Sequence, residues 1–570
     1  MTKSRQAIIL ITVYALALGI RVYWLSQKEA LHVDEGLTVA IACYNNFFIS
    51  ANYEQGRQYT GKELKEASLV SSSSLKDALA DLGSLWKNNR DPPHTNLYYT
   101  FLRLSLVGIK TGDVGFIIFR GGVLNLLFFT VSFIFFFLLM RLLFAENELL
   151  QFSAVFCAFL STAAISNTLF IRPYQIQEML FIIFCYYFVL SLGWKKYFIH
   201  EKKIHVGVLK PVLIMSLITG LTLMTGYYAV IFIGLFGLYA IYQQCKNKTF
   251  AEIPFYFVIL GLGLLIAQIL YPKYLSGFFS YRGTETIRTL SRDITGNIKS
   301  SVITAGSFLH KHFFSYPVIT VCVFCFAFMV VLLVRGQKLS GLIQKFRDEK
   351  MSAAQKNAWY IFAASVVYLF FVMILAPYKV LRYCMPVFPF FIILPAMLIN
   401  SIGTRSKKIA AMILLCGCFA FNAAREINIE NLFRDKQNQY VFTENKDTPV
   451  YVINAGWSLF KYANLIPYVH DEQVYYFVDW FNYLGDYLRK KGDAELIPLP
   501  ETENYDDIYL LIEYFPPSPQ QDGSIQLYDL ITDNLQIKPA VIESEFEIFT
   551  GEPESWFPYF KGKKIRLGSR

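Results

Sequence analysis

The sequence has few charged residues: only 17% of its 570 residues are Asp, Glu, Lys or Arg, against about 25% in an ordinary soluble protein. Hydrophobic residues make up 54%. No glycine-rich GxGxxG or P-loop pattern occurs, so we predict no nucleotide site. The net charge of +10 does not indicate nucleic-acid binding, because the basic residues lie in short loops between apolar runs instead of in one stripe. The composition predicts a membrane protein.

Metal- or disulfide-forming cysteine patterns are also scarce. Most of the nine cysteines lie inside apolar runs, where they are expected to pack as small hydrophobic residues. Cys322 and Cys325 form a CxxC, but no histidine or second CxxC accompanies it in a polar segment. We therefore predict no metal ligands.

Apolar runs near the ~20 residues needed to cross a bilayer recur over the first three-quarters of the chain. Arg21, Tyr23 and Trp24 end the first run where a cleaved signal peptide would have small residues, so we interpret it as an uncleaved span. About eleven spans are predicted, at 7–25, 116–140, 150–169, 174–193, 207–222, 224–243, 253–272, 315–335, 357–376, 383–401 and 408–424.

The lysine-rich loops predict the orientation. With the N-terminus in the cytoplasm, the loops 194–210, 243–248, 335–350 and 404–408 all lie inside, as the positive-inside rule requires. The segments 26–115, 170–177, 273–314, 377–383 and everything beyond 425 then lie outside.

Two domains are predicted. Residues 1–425 form the transmembrane domain, whose first outer loop, 26–115, carries two or three juxtamembrane helices; the apolar run 95–110 is one that does not cross. Residues 426–570 form a small α/β domain, because β-rich runs alternate with helical ones, which favours a mostly parallel sheet. The strands are expected at 450–456, 474–480 and 508–514, and the helices at 480–492 and 525–537.

The stretch LHVDEGLTVA (31–40) places two acids, Asp34 and Glu35, just after the first span. A carboxylate in an apolar environment can accept a proton from an attacking hydroxyl. The alternative is that Asp34 and Glu35 cap the next helix or lie in interfacial water. His32 is interpreted as structural.

Basic residues gather on the predicted outer face. Arg172 and Tyr174 open a span, where Arg172 either binds an anion or extends to the lipid headgroups. Glu178 lies inside that span and is expected to face the protein interior or a water-filled cavity, because an acid there costs about 2.5–3.5 kcal/mol.

Two cations, Lys379 and Arg382, crowd one short outer loop, against the positive-inside rule, and a phosphate would compensate them. The loop 280–293 adds Arg282, Arg288 and Arg292, and RDPPHTNLYY (90–99) adds Arg90, Asp91 and His94. The alternative for the latter stretch is a turn that caps a helix.

In their order and sidedness, these stretches resemble the GT-C glycosyltransferases of the protein O-mannosyltransferase and aminoarabinose-transferase type. DE (34–35) follows the first span, DPPHTNLYY (91–99) stands where the family has HPPLYY, RPY (172–174) opens a helix, and LRYCMPVFPF (381–390) is similar to an RYLLPLLP-like segment. The resemblance covers residues 1–425. His94 follows the prolines instead of preceding them, and TGYY (225–228) stands where relatives have a charged residue or histidine.

The resemblance implies a GT-C-like membrane protein that moves a hexose or pentose from a polyprenyl-phosphate donor to a protein, lipid or glycan acceptor. Asp34 would be the catalytic carboxylate, supported by Glu35. The donor phosphate and sugar would be bound by Arg172, Tyr174, Lys379, Arg382, Arg282 and His94. No cofactor would be required, with weak dependence on a divalent metal as an open alternative. The enzyme would lie in the plasma (inner) membrane with a periplasmic active site.

Other functions were weighed. A lipid-linked sugar flippase or transporter is the main alternative, but it predicts internal repeats and midplane polar residues, and the sequence has no repeat. A polysaccharide polymerase or ligase would share the donor but lack DE after the first span. A scaffold would leave Glu178 and the outer cations unexplained.

Overall fold

The computed structural model describes most of the chain, and every structural statement refers to these residues. They are 2–43, 57–68, 74–87, 95–108, 114–192, 209–292, 294–314, 351–377, 379–426, 429–432, 445–454, 469–479, 497–499, 501–514, 535–536, 540–549 and 559–567. The chain divides into two compact units. The helical unit comprises Met1–Ser26, Trp86–Tyr98 and Gly122–Glu430, and the sheet unit comprises Gln27–Leu85, Tyr99–Gly121 and Asn431–Arg570.

The described helices are mostly apolar. In chain order they are α1 (Lys3–Ser26), α2 (Val33–Ala42), α3 (Gly61–Ser68), α4 (Leu75–Lys87), α5 (Leu97–Ser105), α6 (Val114–Leu143), α7 (Glu148–Leu160), α8 (Thr162–Leu169), α9 (Tyr174–Ser191), α10 (Leu209–Leu223), α11 (Ala229–Lys246), α12 (Ile253–Leu270), α13 (Tyr274–Gly277), α14 (Thr284–Arg292), α15 (Ile294–Phe308), α16 (Ala353–Leu375), α17 (Ile393–Ser401) and α18 (Arg405–Ala423). Shorter 3₁₀ turns include Leu381–Tyr383 and Met385–Ile392, and π-helical turns cover Phe278–Gly283 and Leu309–Phe314.

Seven of these helices are long and apolar enough to cross a membrane, or eight if the bent pair α7–α8 is one span. Two shorter apolar helices, Leu209–Leu223 and Met385–Ser401, account for two further predicted spans. The predicted span 315–335 lies outside the described residues. The prediction of a polytopic α-helical membrane protein with a small C-terminal sheet domain is confirmed.

The predicted span 150–169 is broken, because α7 and α8 meet at an angle of 55°. Ser161 causes the break. Its backbone is extended (φ −63°, ψ 142°), and its hydroxyl accepts from the backbone N–H of Ala164, which caps α8. The break sets the direction in which α8 approaches the turn at residues 170–173.

The predicted span 383–401 does not begin as an α-helix. Its first part, Met385–Ile392, is a 3₁₀ segment with Pro389 inside it, and α17 follows directly. Proline removes a backbone donor and clashes with the preceding helical turn, which disfavours an α-helix there.

The first outer loop has more structure than predicted. It contains α2, α3, α4 and α5, where two or three helices were expected. The run 95–110 forms α5, which has nine residues. At 1.5 Å per residue this helix is about 14 Å long, shorter than the membrane core of about 30 Å, in line with the prediction that the run does not cross.

The sheet unit contains a six-stranded sheet in the order β1-β3-β2-β5-β8-β7. The strands are β1 (Gln58–Thr60), β2 (Val450–Asn454), β3 (Val474–Asp479), β5 (Asp507–Tyr514), β7 (Ala540–Phe549) and β8 (Tyr559–Leu567), and a separate pair is formed by β4 (Ile497–Pro498) and β6 (Leu535–Gln536). The three predicted strands, β2, β3 and β5, form its parallel centre. Their buried core includes Tyr451, Tyr476, Ile508 and Leu510.

The expectation of a mostly parallel sheet is wrong at the edges. Strand β8 pairs antiparallel with β5 on one side and with β7 on the other, and β1 pairs antiparallel with β3. The edge strand β7 carries the charged residues Glu543 and Glu545, and antiparallel strands can be joined without a crossover helix. The predicted helix 480–492 lies outside the described residues, and at the end of 525–537 the described pair Leu535–Gln536 is a strand.

Directly after strand β1, the backbone at Gly61 lies very close to the segment that precedes β3. The Gly61 N–H donates to the Gln473 carbonyl oxygen (2.9 Å), and the next N–H, of Lys62, donates to the Asp471 carbonyl oxygen (3.0 Å). A Cβ at Gly61 would overlap the carbonyl oxygen of His470. Only a residue without a side chain permits this close approach of two backbones.

Gly61→Ala is therefore expected to destabilise the sheet unit by about 1–3 kcal/mol, the usual cost of forcing an extra methyl group into filled space. The measurement is thermal unfolding of the purified full-length protein in detergent. Gly83→Ala is the matched control, since nothing lies within 4 Å of its Cβ position in α4 and alanine there favours the helix. Equal melting temperatures for the two variants would contradict the close approach.

Candidate functional site

Three separate segments of the helical unit meet at a tyrosine cluster, defined by Tyr174, Tyr228 and Tyr383. The Tyr174 and Tyr383 ring centroids are 6.0 Å apart at 61°, and those of Tyr228 and Tyr383 are 6.0 Å apart at 62°. Edge-to-face contacts of this kind are favourable for aromatic rings. The cluster joins the RPY, TGYY and LRYC stretches of the sequence.

The first segment is the turn at residues 170–173 between α8 and α9. Helix α8 ends at Leu169, the next residue, Phe170, has an extended backbone, and Pro173 has the αR conformation directly before α9. Tyr174 stacks on Phe170 with ring centroids 6.0 Å apart and planes within 3°. Arg172 lies in this turn and is only 3% exposed, so it does not simply extend into solvent.

The second segment is the 3₁₀ turn Leu381–Tyr383, which follows the extended residue Val380. It buries Arg382, which is 6% exposed. The guanidinium carbon of Arg382 lies 5.8 Å from the centroid of the Tyr383 ring, within cation–π range. Through Tyr383 and Tyr174, the turns that carry the two predicted phosphate-binding arginines are in contact.

The third segment is the turn between α10 and α11 that carries Tyr228. The Ala229 N–H donates to the Gly226 carbonyl oxygen (3.0 Å). The hydroxyl of Thr95 donates to the carbonyl oxygen of Met224, so the end of the RDPPHTNLYY stretch adjoins this turn. Arg90, Asp91 and His94 lie outside the described residues, and their roles stay predictions.

Lys379 is engaged with α15. Its ammonium donates to the Asn297 carbonyl oxygen (2.9 Å) and to the Ser300 hydroxyl. Partial burial lowers the pKa of Lys379 below its ordinary value. Its predicted contact with a phosphate stays a prediction.

The arginines of the loop 280–293 are less informative. Arg282 belongs to the π-helical turn Phe278–Gly283, but its side chain lies outside the described part of the chain. Arg288 is exposed on α14. The structure therefore neither adds Arg282 to the cluster nor removes it.

In the sheet unit, Asp34 and Glu35 lie in the first turn of α2. His32 is the N-cap: its Nδ1 accepts from the Asp34 N–H (3.0 Å), and the Glu35 carboxylate accepts from the His32 N–H (2.6 Å). This reciprocal pair is a capping box. His32 is thus structural, as interpreted from the sequence, and Glu35 has the capping role that was the alternative for both acids.

The two acids differ in exposure. Glu35 forms an ion pair with Lys28 (Nζ–Oε2 3.0 Å), and both side chains are fully buried. Lys28 also donates to the Asn431 carbonyl oxygen (2.6 Å). Burial lowers the pKa of Lys28, and Glu35 beside it opposes that shift. Asp34 is 13% exposed, with Oδ2 4.0 Å from His32 Nδ1, so it is the more accessible of the two carboxylates.

Glu35→Gln is expected to destabilise the protein by about 3–5 kcal/mol, because it leaves the Lys28 ammonium buried beside a neutral group. The measurement is the melting temperature in detergent. A second variant, Lys28→Met with Glu35→Gln, removes both charges and should recover part of the loss. A Glu35→Gln protein as stable as the wild type would show that the pair has no structural role.

Glu178 faces the protein interior, as predicted, and is 0% exposed. Its carboxylate accepts from the side-chain amides of Asn167 and Gln175, both at 3.0 Å. From the sequence, Arg21 is interpreted only as part of the end of the first span and is not connected with Glu178. The only sequence signal for such a connection is that Arg21, like Glu178, is a charged residue inside an apolar run.

Among the residues that the structure describes, no group of three or more His, Cys, Asp or Glu side chains is placed to hold a metal ion. Cys322 and Cys325 lie outside them.

Comparisons with known proteins give matches among solved structures alone. No family model matches the sequence, and no curated protein matches it. The structure of ArnT from Cupriavidus metallidurans bound to undecaprenyl phosphate matches 98% of this chain and 98% of its own, with 10% identity and a TM-score of 0.46. The apo structure of the same protein matches 97% of both chains, with 11% identity and a TM-score of 0.46.

At this identity and TM-score, the similarity bears on neither substrates nor catalytic residues.

Proposed function

We propose that the protein is a membrane glycosyltransferase that moves a sugar from a polyprenyl-phosphate donor to an acceptor on the outer face of the membrane. The observation that carries the proposal is the contact between the turns of Arg172 and Arg382 through Tyr174 and Tyr383. Tyr174 and Tyr228 of the cluster lie at the starts of the apolar helices α9 and α11, whose surfaces would suit the polyprenyl chain.

Arg172 and Arg382 are 3% and 6% exposed, and guanidinium groups bind phosphate through paired hydrogen bonds. A phosphate group that joins a lipid to a sugar is therefore a suitable ligand. The tyrosine cluster supplies hydroxyl groups and ring faces that suit a sugar.

Asp34 would act as the general base. The acceptor hydroxyl gives its proton to the Asp34 carboxylate while its oxygen attacks the anomeric carbon of the donor sugar. The bond between that carbon and the phosphate oxygen breaks, and polyprenyl phosphate leaves. Arg172 and Arg382 stabilise the negative charge that develops on the phosphate, and Lys379 remains a further candidate for this role.

The test is a transfer assay with the purified full-length protein in lipid nanodiscs. A panel of undecaprenyl-phosphate sugars is supplied with lipid, glycan and peptide acceptors, and product formation is followed by mass spectrometry. Formation of a glycosylated acceptor together with free undecaprenyl phosphate supports the proposal. In liposomes, movement of the intact donor between leaflets with no product would instead identify a flippase and overturn it.

A further inference from the structure

The turn that carries Arg172 is fixed by a buried carboxylate. Glu178 accepts from Asn167 Nδ2 on α8 and from Gln175 Nε2 on α9, both at 3.0 Å. These two donors lie on either side of residues 170–173. Glu178 thereby ties together the two helices that the turn connects.

A second set of contacts extends from this carboxylate to α1. Arg21 Nε donates to the Thr168 hydroxyl (2.9 Å), and that hydroxyl lies 2.9 Å from Gln175 Oε1. The Arg21 guanidinium also lies over the Phe129 ring, 3.9 Å from its centroid. Arg21 and Glu178 are both 0% exposed.

Helix α6 holds the turn from another side. Asn125 Nδ2 donates to the carbonyl oxygens of Thr168 (3.1 Å) and Phe170 (2.8 Å), and Asn125 Oδ1 accepts from the Tyr98 hydroxyl (3.2 Å). The carbonyl groups at the end of α8 thus receive side-chain donors in place of the next helical turn. The contacts made by Glu178, Arg21 and Asn125 thus all surround the turn at residues 170–173.

Ionisable side chains such as Arg21 and Glu178 are costly to insert into a membrane, and apolar side chains of similar size in place of buried ionic groups often give equal or greater stability. The stability of the fold alone therefore does not explain why these polar side chains are buried around residues 170–173. Hydrogen bonds within a buried polar network restrict the geometry of the segments that they join.

We infer that Arg21, Asn125, Thr168, Gln175 and Glu178 are positioning residues, which hold the turn so that Arg172 and Tyr174 meet the donor phosphate. The inference rests on the proposed function. Groups that bind a developing charge work best when they are fixed in advance. We expect substitutions in this network to weaken donor binding even where they leave the melting temperature close to that of the wild type.

The test compares Thr168→Val, which removes the linking hydroxyl, with Thr168→Ser, which keeps it. Binding of undecaprenyl phosphate to the full-length protein in nanodiscs is measured by native mass spectrometry. Thr168→Val is expected to raise Kd about tenfold, the equivalent of one hydrogen bond to a charged group, and Thr168→Ser to stay within about twofold. Glu178→Gln should behave like Thr168→Val, and it serves as the second variant if Thr168→Val fails to fold.

Tyr239→Leu is the stability control. Tyr239 stacks on Tyr360 (3.7 Å between ring centroids) and lies about 15 Å along α11 from its start, so its loss should lower the melting temperature and leave Kd unchanged. Melting temperatures that fall in Thr168→Val and Glu178→Gln while Kd stays at the wild-type value would reduce the network to a structural role. Failure of the wild-type protein to bind undecaprenyl phosphate would instead overturn the proposed function.

Discussion

Asp34→Asn is expected to reduce sugar transfer by at least about 100-fold, the contribution of a well-placed general base. The amide keeps the size of the side chain but cannot accept the proton of the acceptor hydroxyl. Asp34 contributes its backbone N–H to the capping box, and its carboxylate is 13% exposed, so the substitution should change the fold little. The measurement is the initial rate of transfer at saturating donor and acceptor.

Three controls make this result interpretable. The melting temperature of Asp34→Asn should stay close to that of the wild type, in contrast to Glu35→Gln. Undecaprenyl phosphate should bind with an unchanged Kd, because Asp34 acts on the acceptor. A rate within about threefold of the wild type would assign the catalytic base elsewhere, since such a change amounts to less than 1 kcal/mol of transition-state stabilisation.

Arg172→Lys and Arg382→Lys are each expected to weaken the binding of undecaprenyl phosphate about 10- to 100-fold, a loss of about 1.4–2.8 kcal/mol. Lysine keeps the positive charge but lacks the planar fork that gives paired hydrogen bonds to phosphate. Replacement by glutamine should weaken binding further. The measurement is Kd by native mass spectrometry, with the transfer rate at saturating donor measured in parallel.

Arg141→Lys provides the matched control, since Arg141 is exposed at the end of α6. Lys379→Gln then tests the remaining predicted cation. A loss of binding would add Lys379 to the phosphate site, whereas wild-type binding would confine it to the contact with α15. If both arginine variants bound undecaprenyl phosphate as tightly as the wild type, the tyrosine cluster would not be the donor site.

Local pattern was enough to predict most elements. The apolar runs predicted α1, α6, α9 and α12 within a few residues, because burying a continuous apolar stretch in lipid requires a helix. The β-rich runs likewise predicted β2, β3 and β5. What the pattern could not predict was the break at Ser161, since one extended residue in an apolar run leaves no periodic signal.

The candidate site was predictable in its parts but not in its contacts. Arg172 and Arg382 were proposed together from their residue type and expected sidedness, and the ring contact of Tyr174 with Tyr383 joins their turns. Tyr228 was not singled out, and Arg21 was not connected with Glu178. Both features depend on contacts between residues far apart in the chain, and a single sequence contains no direct evidence of such contacts.

The pairing of β1 with β3 has a consequence for how the protein is made. Gln58 lies opposite Tyr476 in the sheet, so a ribosome must add about 400 further residues before β1 has a partner. At 5–20 residues per second, that interval is roughly 20–80 s. During that interval most of the membrane-spanning helices are synthesised, and β1 cannot form its hydrogen bonds with β3. Completion of the sheet is thus a late event in biosynthesis, and a nascent chain stalled before β3 cannot form the β1–β3 edge.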